Sequence, residues 1–436
     1  MQTDKTIRVR HENTPEQFAI VIQAMTAIGG NILSVATHHV GSTHIYRDIT
    51  VSVHKEADVD TLLTVVKLLP GVSVEGVIDE VLRIHEGGKL VHRGRLHINT
   101  QAEMREVYTP GVAKVCRAIQ QEPALARRYT NAGNTVAVVS NGSRVLGLGD
   151  IGPLASLPVM EAKAMFYGQL VDLNAVPIVL DVRSVDDFVE TVVRLSPGFA
   201  GIHLEDIQSP DCIAIERRLI SRLAIPVMHD DQHGTAVVAL AAATNLLRAA
   251  SRKPFETVFA QVGLGAAGLA IGSLAEAAGF RGVIGFDRGE LAWQAAAERG
   301  IQRVSFEDCL AHGDILCLTT GQAGLLKPSM VRKGQIILAL SNPLPEIEPA
   351  EAMKAGAAGA LDGRTVNNLL GYPGLFKGAI LSGARGITTP MKLRAAQVIA
   401  ACAGKDEVLP DPLSTEVHRA VAEAVKAIGD KTQEAM

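Results

Sequence analysis

The segment 257–287 constrains the fold more than any other stretch. An apolar run at 258–262 leads into Gly263-Leu264-Gly265-Ala266-Ala267-Gly268, and a small-residue helical stretch follows to Gly279. The next apolar run ends at Asp287, nineteen residues after Gly268. Strand, glycine turn, helix and a second strand closed by an acid form a dinucleotide-binding βαβ unit. Its glycines let the backbone approach a pyrophosphate at the helix N-terminus, and its acid reaches the adenosine ribose hydroxyls. The sequence therefore predicts a Rossmann domain over 251–390. Gly263, Gly265, Ala266, Ala267, Gly268 and Asp287 are expected to bind a nicotinamide cofactor. Asp287 favours NAD, because a carboxylate repels a 2′-phosphate, whereas Arg288 beside it would accommodate NADP. A second glycine match, Gly147 to Gly152, runs straight into Pro153, and its nearest equivalent acid, Asp172, falls in a helix-like stretch. That match is not assigned to the cofactor.

Upstream, apolar runs at 135–140, 175–182, 201–206 and 224–231 end in polar residues and alternate with helical stretches such as 185–196. This is the pattern of an α/β layer fold with parallel strands, assigned here to 89–250. The helical segments in 391–436 are expected to pack back on that domain. Residues 1–88 read as β-α-β-β-α-β, the ferredoxin-like order, with 72–84 as the last strand region. This unit resembles an ACT domain, a small regulatory module, with the turn 28–32 where such domains hold a ligand. The resemblance implies a small-molecule effector; a packing or dimerisation domain without a ligand is the alternative. The fold class is thus α/β: two layer domains with mainly parallel sheets, the C-terminal one Rossmann, preceded by a ferredoxin-like unit.

Composition excludes several classes. Lys plus Arg is 42 against 46 Asp plus Glu in 436 residues, and aromatics are 4%, so neither a basic nucleic-acid surface nor a base-stacking one is expected. The run 236–243 is too short to span a bilayer, and the opening residues have no apolar signal core. Five cysteines without a C-x-x-C pair point to a reduced, cytoplasmic protein.

Chemistry-bearing residues gather at predicted strand ends. His229-Asp230-Asp231-Gln232-His233 has histidines four apart, but it lacks the glutamate of the zinc protease motif and follows a strand. With Glu205-Asp206 it suggests an oxygen-ligand site for Mg²⁺ or Mn²⁺, although each acid pair alone is also a normal helix cap or turn.

Taken together, Tyr108-Thr109-Pro110-Gly111-Val112-Ala113, the stretch Val145 to Pro153, Leu204-Glu205-Asp206-Ile207, 229–235, Ser341-Asn342-Pro343, Val366-Asn367-Asn368 and Tyr372-Pro373-Gly374 resemble malic enzymes of the short bacterial type. The resemblance spans about 90–410. It implies NAD- or NADP-dependent oxidation of L-malate with decarboxylation to pyruvate. It also implies roles: Tyr108 as general acid, Lys163 as general base, and Glu205, Asp206 and Asp231 as metal ligands. Asp230 would orient Lys163, and Arg144 would pair with a substrate carboxylate. Asn342 and Asn368 would contact substrate and the nicotinamide end of the cofactor, with Asn367 beside them. A homodimer or higher homo-oligomer is implied as well. A lysine accepts a hydroxyl proton only when its pKa is pulled toward neutrality, which a nearby metal would do. A forked guanidinium suits a dicarboxylate. The chain departs from the family at Ala162, where glycine is frequent, in a short step after Asp287, and at 319–324. Malolactic conversion to lactate is the nearest rival. A catalytically silent ligand sensor on the same fold is the more distant one, and the intact set of Tyr108, Lys163 and the three acids argues against it.

Overall fold

The structure is a computed structural model that describes residues 3–145 and 147–434. Leu146, within the 145–153 motif, lies outside the described residues. The chain divides into two compact units, Met1–Lys89 and Leu90–Met436.

The smaller unit runs β1 (Thr3–Glu12), α1 (Pro15–Ala27), β2 (Asn31–Val40), β3 (His44–Val53), α2 (Glu56–Lys67), β4 (Val72–Asp79) and α3 (Glu80–His85). Its sheet is antiparallel in the order β2-β3-β1-β4. Thr14 caps α1 by accepting from Gln17 N, and Pro15 opens the helix where its missing N–H costs nothing. Alternate residues of the central strands, Ile7, Val9, Ile49 and Val51, are buried against Val21, Met25 and Leu62. The expectation of a strand through 84 is corrected. Asp79 ends the strand by accepting from Leu82 N, which starts α3, and its other oxygen takes the Lys5 ammonium at 2.5 Å. A side-chain cap thus overrides the apolar alternation of 81–84.

The larger unit begins with α4 (Gln101–Val107), α5 (Val112–Gln121) and the short α6 (Ala126–Tyr129). An α/β layer follows: β5 (Thr135–Ser140), α7 (Gly152–Val171), β6 (Asn174–Val179), α8 (Val185–Leu195), β7 (Gly201–Leu204), α9 (Asp211–Arg222), β8 (Val227–His229) and α10 (Asp230–Ala249). Its four strands are parallel, ordered β6-β5-β7-β8. The second layer comprises β9 (Val258–Val262), α11 (Ala266–Ala277), β10 (Gly282–Phe286), α12 (Glu290–Ala297), β11 (Gln302–Arg303), α13 (Phe306–His312), β12 (Ile315–Leu318), β13 (Ile336–Ala339), α14 (Pro349–Lys354) and β14 (Gly359–Asp362). It is parallel throughout in the order β11-β10-β9-β12-β13-β14. Counted from β9 this is 3-2-1-4-5-6, the Rossmann order, with its switch point between β9 and β12. Helices α15 (Tyr372–Leu381), α16 (Thr389–Cys402) and α17 (Thr415–Glu434) close the chain, and α17 lies against α15, α16 and α7. Among the described residues, no helix is long and apolar enough to cross a membrane.

One core joins the two parallel sheets through α7, α10, α11 and the last three helices. Its aromatic centre is Tyr167, His203, Tyr372 and Phe376, all fully buried. The Tyr167 and Tyr372 rings meet edge-on at 5.0 Å, and His203 stacks on Phe376 at 5.7 Å. Phe376→Ala should cost about 3–5 kcal/mol, because the cavity opens in a packed cluster. Denaturant unfolding checks this, and a loss below about 1 kcal/mol would mean that the site collapses and refills.

Candidate active site

The parallel strands deliver the acids where the sequence places them. Glu205 and Asp206 directly follow β7, and Asp230 and Asp231 open α10 directly after β8. Asp206 adopts φ 52°, a left-handed conformation that Asp tolerates better than most residues and that often marks a functional turn. Its N–H donates to Asp231 Oδ2 at 3.0 Å, and its carbonyl accepts from Arg144 N at 3.1 Å. One oxygen each from Glu205, Asp206 and Asp231 lies within 4.8 Å of the others.

Lys163, on α7, points into this acidic group. Its Nζ donates to Asp230 Oδ2 at 2.6 Å and to Asn368 Oδ1 at 3.2 Å, and it lies 2.9 Å from Glu205 Oε1. The ammonium also sits 4.7 Å above the Tyr372 ring. Burial works against its charge, but the attraction of Asp230 and then Glu205 outweighs burial and holds its pKa well above the usual lysine range. Burial pushes Asp230 up to about 6 and Glu205 up to about 8, against the pull of Lys163 on both. His203 Nε2 lies 2.6 Å from Glu205 Oε2, and Tyr167 Oη lies 2.8 Å from His203 Nδ1. Burial lowers His203 to about 4, so the ring is neutral. A chain in which Tyr167 donates to His203 and His203 donates to Glu205 then satisfies all three groups.

Four carboxyl groups thus surround one ammonium. Asp230 Oδ1 is buried without a hydrogen-bond partner. Hard oxygen donors in excess of the available positive charge fit Mg²⁺ or Mn²⁺ at Glu205, Asp206 and Asp231. A second cluster, His203, Glu205 and Asp230, is equally tight, but Lys163 already bridges its two acids.

The glycine turn sits at the β9/β12 switch point. Gly263 has φ +88°, and a Cβ there would lie 2.7 Å from Thr319 O. A Cβ on Gly268 would lie 1.9 Å from Gly263 O, whereas one on Gly265, at the start of α11, would meet nothing within 4 Å. Two glycines therefore close the turn, and the third leaves room for a ligand at the helix N-terminus with Ala266 and Ala267. Thr319, at a departure from the family pattern, donates to Gly263 O at 3.0 Å and accepts from Gln261 Nε2 at 3.0 Å, which braces the turn. Asp287 accepts from Leu264 N at 2.7 Å and from Gly289 N at 2.8 Å, so it shapes the turn as well as facing it. Arg288 is exposed and donates to Gln322 Oε1 at 2.5 Å. Gly268→Val should abolish NAD binding in titration calorimetry, since two more methyl groups cannot fit against Gly263 O; a folded variant with unchanged affinity would contradict this.

Not every expected residue joins the centre. Asn368 does, through Lys163. Asn367 caps the next turn by accepting from Leu369 N. Asn342 is exposed on the loop after β13, and that loop approaches Gly147 of the Arg144 loop. The Arg144 side chain is exposed. Tyr108 ends α4 and is 69% exposed, and among the described residues no hydrogen bond links it to Lys163 or the acids.

Sequence reasoning missed Tyr167, His203 and Glu216. Glu216 is buried and accepts from His229 N, Gln232 Nε2 and His233 Nε2 at 2.8, 3.2 and 3.0 Å. Burial alone would raise its pKa, but His233 and Lys392 hold it at about 2. It ties down the turn that carries Asp230 and Asp231. The available signal was its place on the buried face of α9 with Cys212, Ile215 and Leu219.

A Rossmann sheet with a braced glycine turn, fused through one core to a parallel layer with a half-buried lysine among buried acids, defines a dinucleotide-type α/β oxidoreductase. Residues 90–220 match the malic enzyme N-terminal domain family. The chain is 47% identical to NAD-dependent malic enzyme 1 of Bacillus subtilis, over 97% of this chain and 97% of that protein. It is 37% identical to the bifunctional malic/malolactic enzyme of the same organism, over 80% of this chain and 92% of that protein. The crystal structure of malic enzyme from Pyrococcus horikoshii superposes with a TM-score of 0.77 at 36% identity, covering 81% of this chain and 90% of that one. The chain belongs to the malic enzyme family.

Proposed function

We propose that this chain oxidises L-malate at C2 and decarboxylates it to pyruvate and carbon dioxide, with NAD as hydride acceptor and Mg²⁺ or Mn²⁺ at Glu205, Asp206 and Asp231. The observation that carries this reading is the half-buried Lys163 ammonium, within reach of Asp230, Glu205 and Asn368 beside three convergent oxygen donors. When bound, the cation would polarise the C2 oxygen and offset the negative charge that holds Lys163 protonated, and NAD would take the hydride. Lys163 then accepts the C2 hydroxyl proton, oriented by Asp230 and Asn368. Arg144, whose loop is tied to Asp206, binds a malate carboxylate through its fork. Asn342 and Asn367 face the nicotinamide end. Tyr108 returns a proton to C3 once carbon dioxide has left. Malate-dependent reduction of NAD with Mn²⁺, faster than that of NADP, tests the reading; no reduction of either would refute it. In a Tyr108→Phe variant, pyruvate formation should fall by about 10²-fold or more while NAD affinity holds, and a normal yield would exclude Tyr108 as the acid.

Release of lactate without net cofactor reduction is the second reading, favoured by the similarity to the bifunctional malic/malolactic enzyme. Residues 91–110 are exposed throughout, with Val107 and Tyr108 among them, which supports a homo-oligomer in which a second copy covers this stretch. Residues 1–88 are read as an ACT-like domain taking a small-molecule effector, a reading supported by the β-α-β-β-α-β order. The rest of the chain is read as 89–250, 251–390 and the helices of 391–436, a division supported by its two parallel sheets. Five free cysteines accord with a cytoplasmic location.

A further inference from the structure

A cavity of about 270 Å³ is lined in part by Gln232 and His233, which follow Asp230 and Asp231 on α10. It is walled by α9, α10, α11 and the start of α16, and its charged lining is Arg217, Arg299, Lys392, Glu216 and His233. Three cations therefore face one carboxylate. That carboxylate is already committed, since both Glu216 oxygens accept from His229 N, Gln232 and His233. Among the described residues Lys392 Nζ has no hydrogen-bond or ion-pair partner, although burial lowers its pKa to about 8 against the pull of Glu216. A half-buried ammonium without a contact partner is costly unless something of opposite charge meets it. Thr389 adds a hydroxyl at the N-terminus of α16, a further donor favourable to an anion.

We propose that this cavity is a binding site for a small organic anion carrying two or more negative charges, as carboxylate or phosphate, held by Lys392, Arg217 and Arg299. The volume falls just below the range of about 300–1,000 Å³ usual for small-molecule sites, which limits the ligand to a short carbon chain. The site is separate from the lysine and acid centre, but the two share a helix turn. Gln232 and His233 line the cavity, and Asp230 and Asp231 precede them on α10. An anion beside Lys392 changes the charge felt by Glu216, which holds that turn through His229 N, Gln232 and His233, so occupancy reaches the acids without touching them.

The test is titration calorimetry on the full chain saturated with Mn²⁺ and NAD, using inorganic phosphate, phosphoenolpyruvate and tricarballylate as separate probes. One probe or more should bind once per chain, and the responding probe identifies phosphate or carboxylate as the preferred group. Lys392→Met and, on the exposed face of α9, Arg217→Glu should each weaken that binding by about tenfold or more, the loss expected for a charge-assisted contact. Retained NAD affinity shows that either variant is folded. No heat from any probe, or heat unchanged in both variants, overturns the site. The calorimetric result does not depend on malate turnover. A bound probe should also shift the malate KM in the parent chain and not in the variants; an unchanged KM would overturn the coupling.

Discussion

Replacement of Lys163 by alanine is expected to lower malate turnover by about 10³-fold while NAD affinity changes little. The lysine holds no contact with the glycine turn, and its partners are Asp230, Glu205 and Asn368. The variant also leaves buried carboxylates without their ammonium. Breaking such a pair costs about 3–5 kcal/mol, so a lower unfolding midpoint in metal-free buffer should accompany the lost activity. Lys163→Arg separates the two effects. An arginine keeps the charge but does not give up its proton near neutrality, so the midpoint should recover in part while turnover stays low. Substantial turnover in either variant would remove Lys163 as the base.

The second large effect concerns Asp231. Its carboxylate offers an oxygen to the Glu205 and Asp206 group and also accepts from Asp206 N, which supports the left-handed backbone there. Asp231→Ala removes a donor and releases Asp206. Mn²⁺ affinity should fall by about 100-fold or more, read by calorimetry without substrate, with NAD affinity unchanged. Unaltered Mn²⁺ affinity would place the cation elsewhere.

Where local spacing carried the information, the sequence was legible. The Rossmann turn could be read from three glycines and an acid at fixed offsets, because each offset reflects a steric need of the backbone. The acids could be assigned to strand ends because apolar runs stop at them. Contacts that arise only in the folded chain were not legible. Lys163 and Asn368 are 205 positions apart, and Tyr167 meets His203 across two elements that nothing local relates. Asp287 read as a ribose ligand, yet both its oxygens also hold backbone amides, a use that residue type and spacing cannot show. The missed α3 has the same cause: one cap bond from Asp79 outweighs a weak alternation.

The most direct measurement follows products and cofactor together. The full chain is incubated with L-malate, Mn²⁺ and NAD, and reduced nicotinamide, pyruvate and lactate are quantified over the same interval. Pyruvate equal to the NADH formed, with no lactate, is the expected result. Lactate accumulating without net NADH would contradict it and assign the same centre to malolactic conversion.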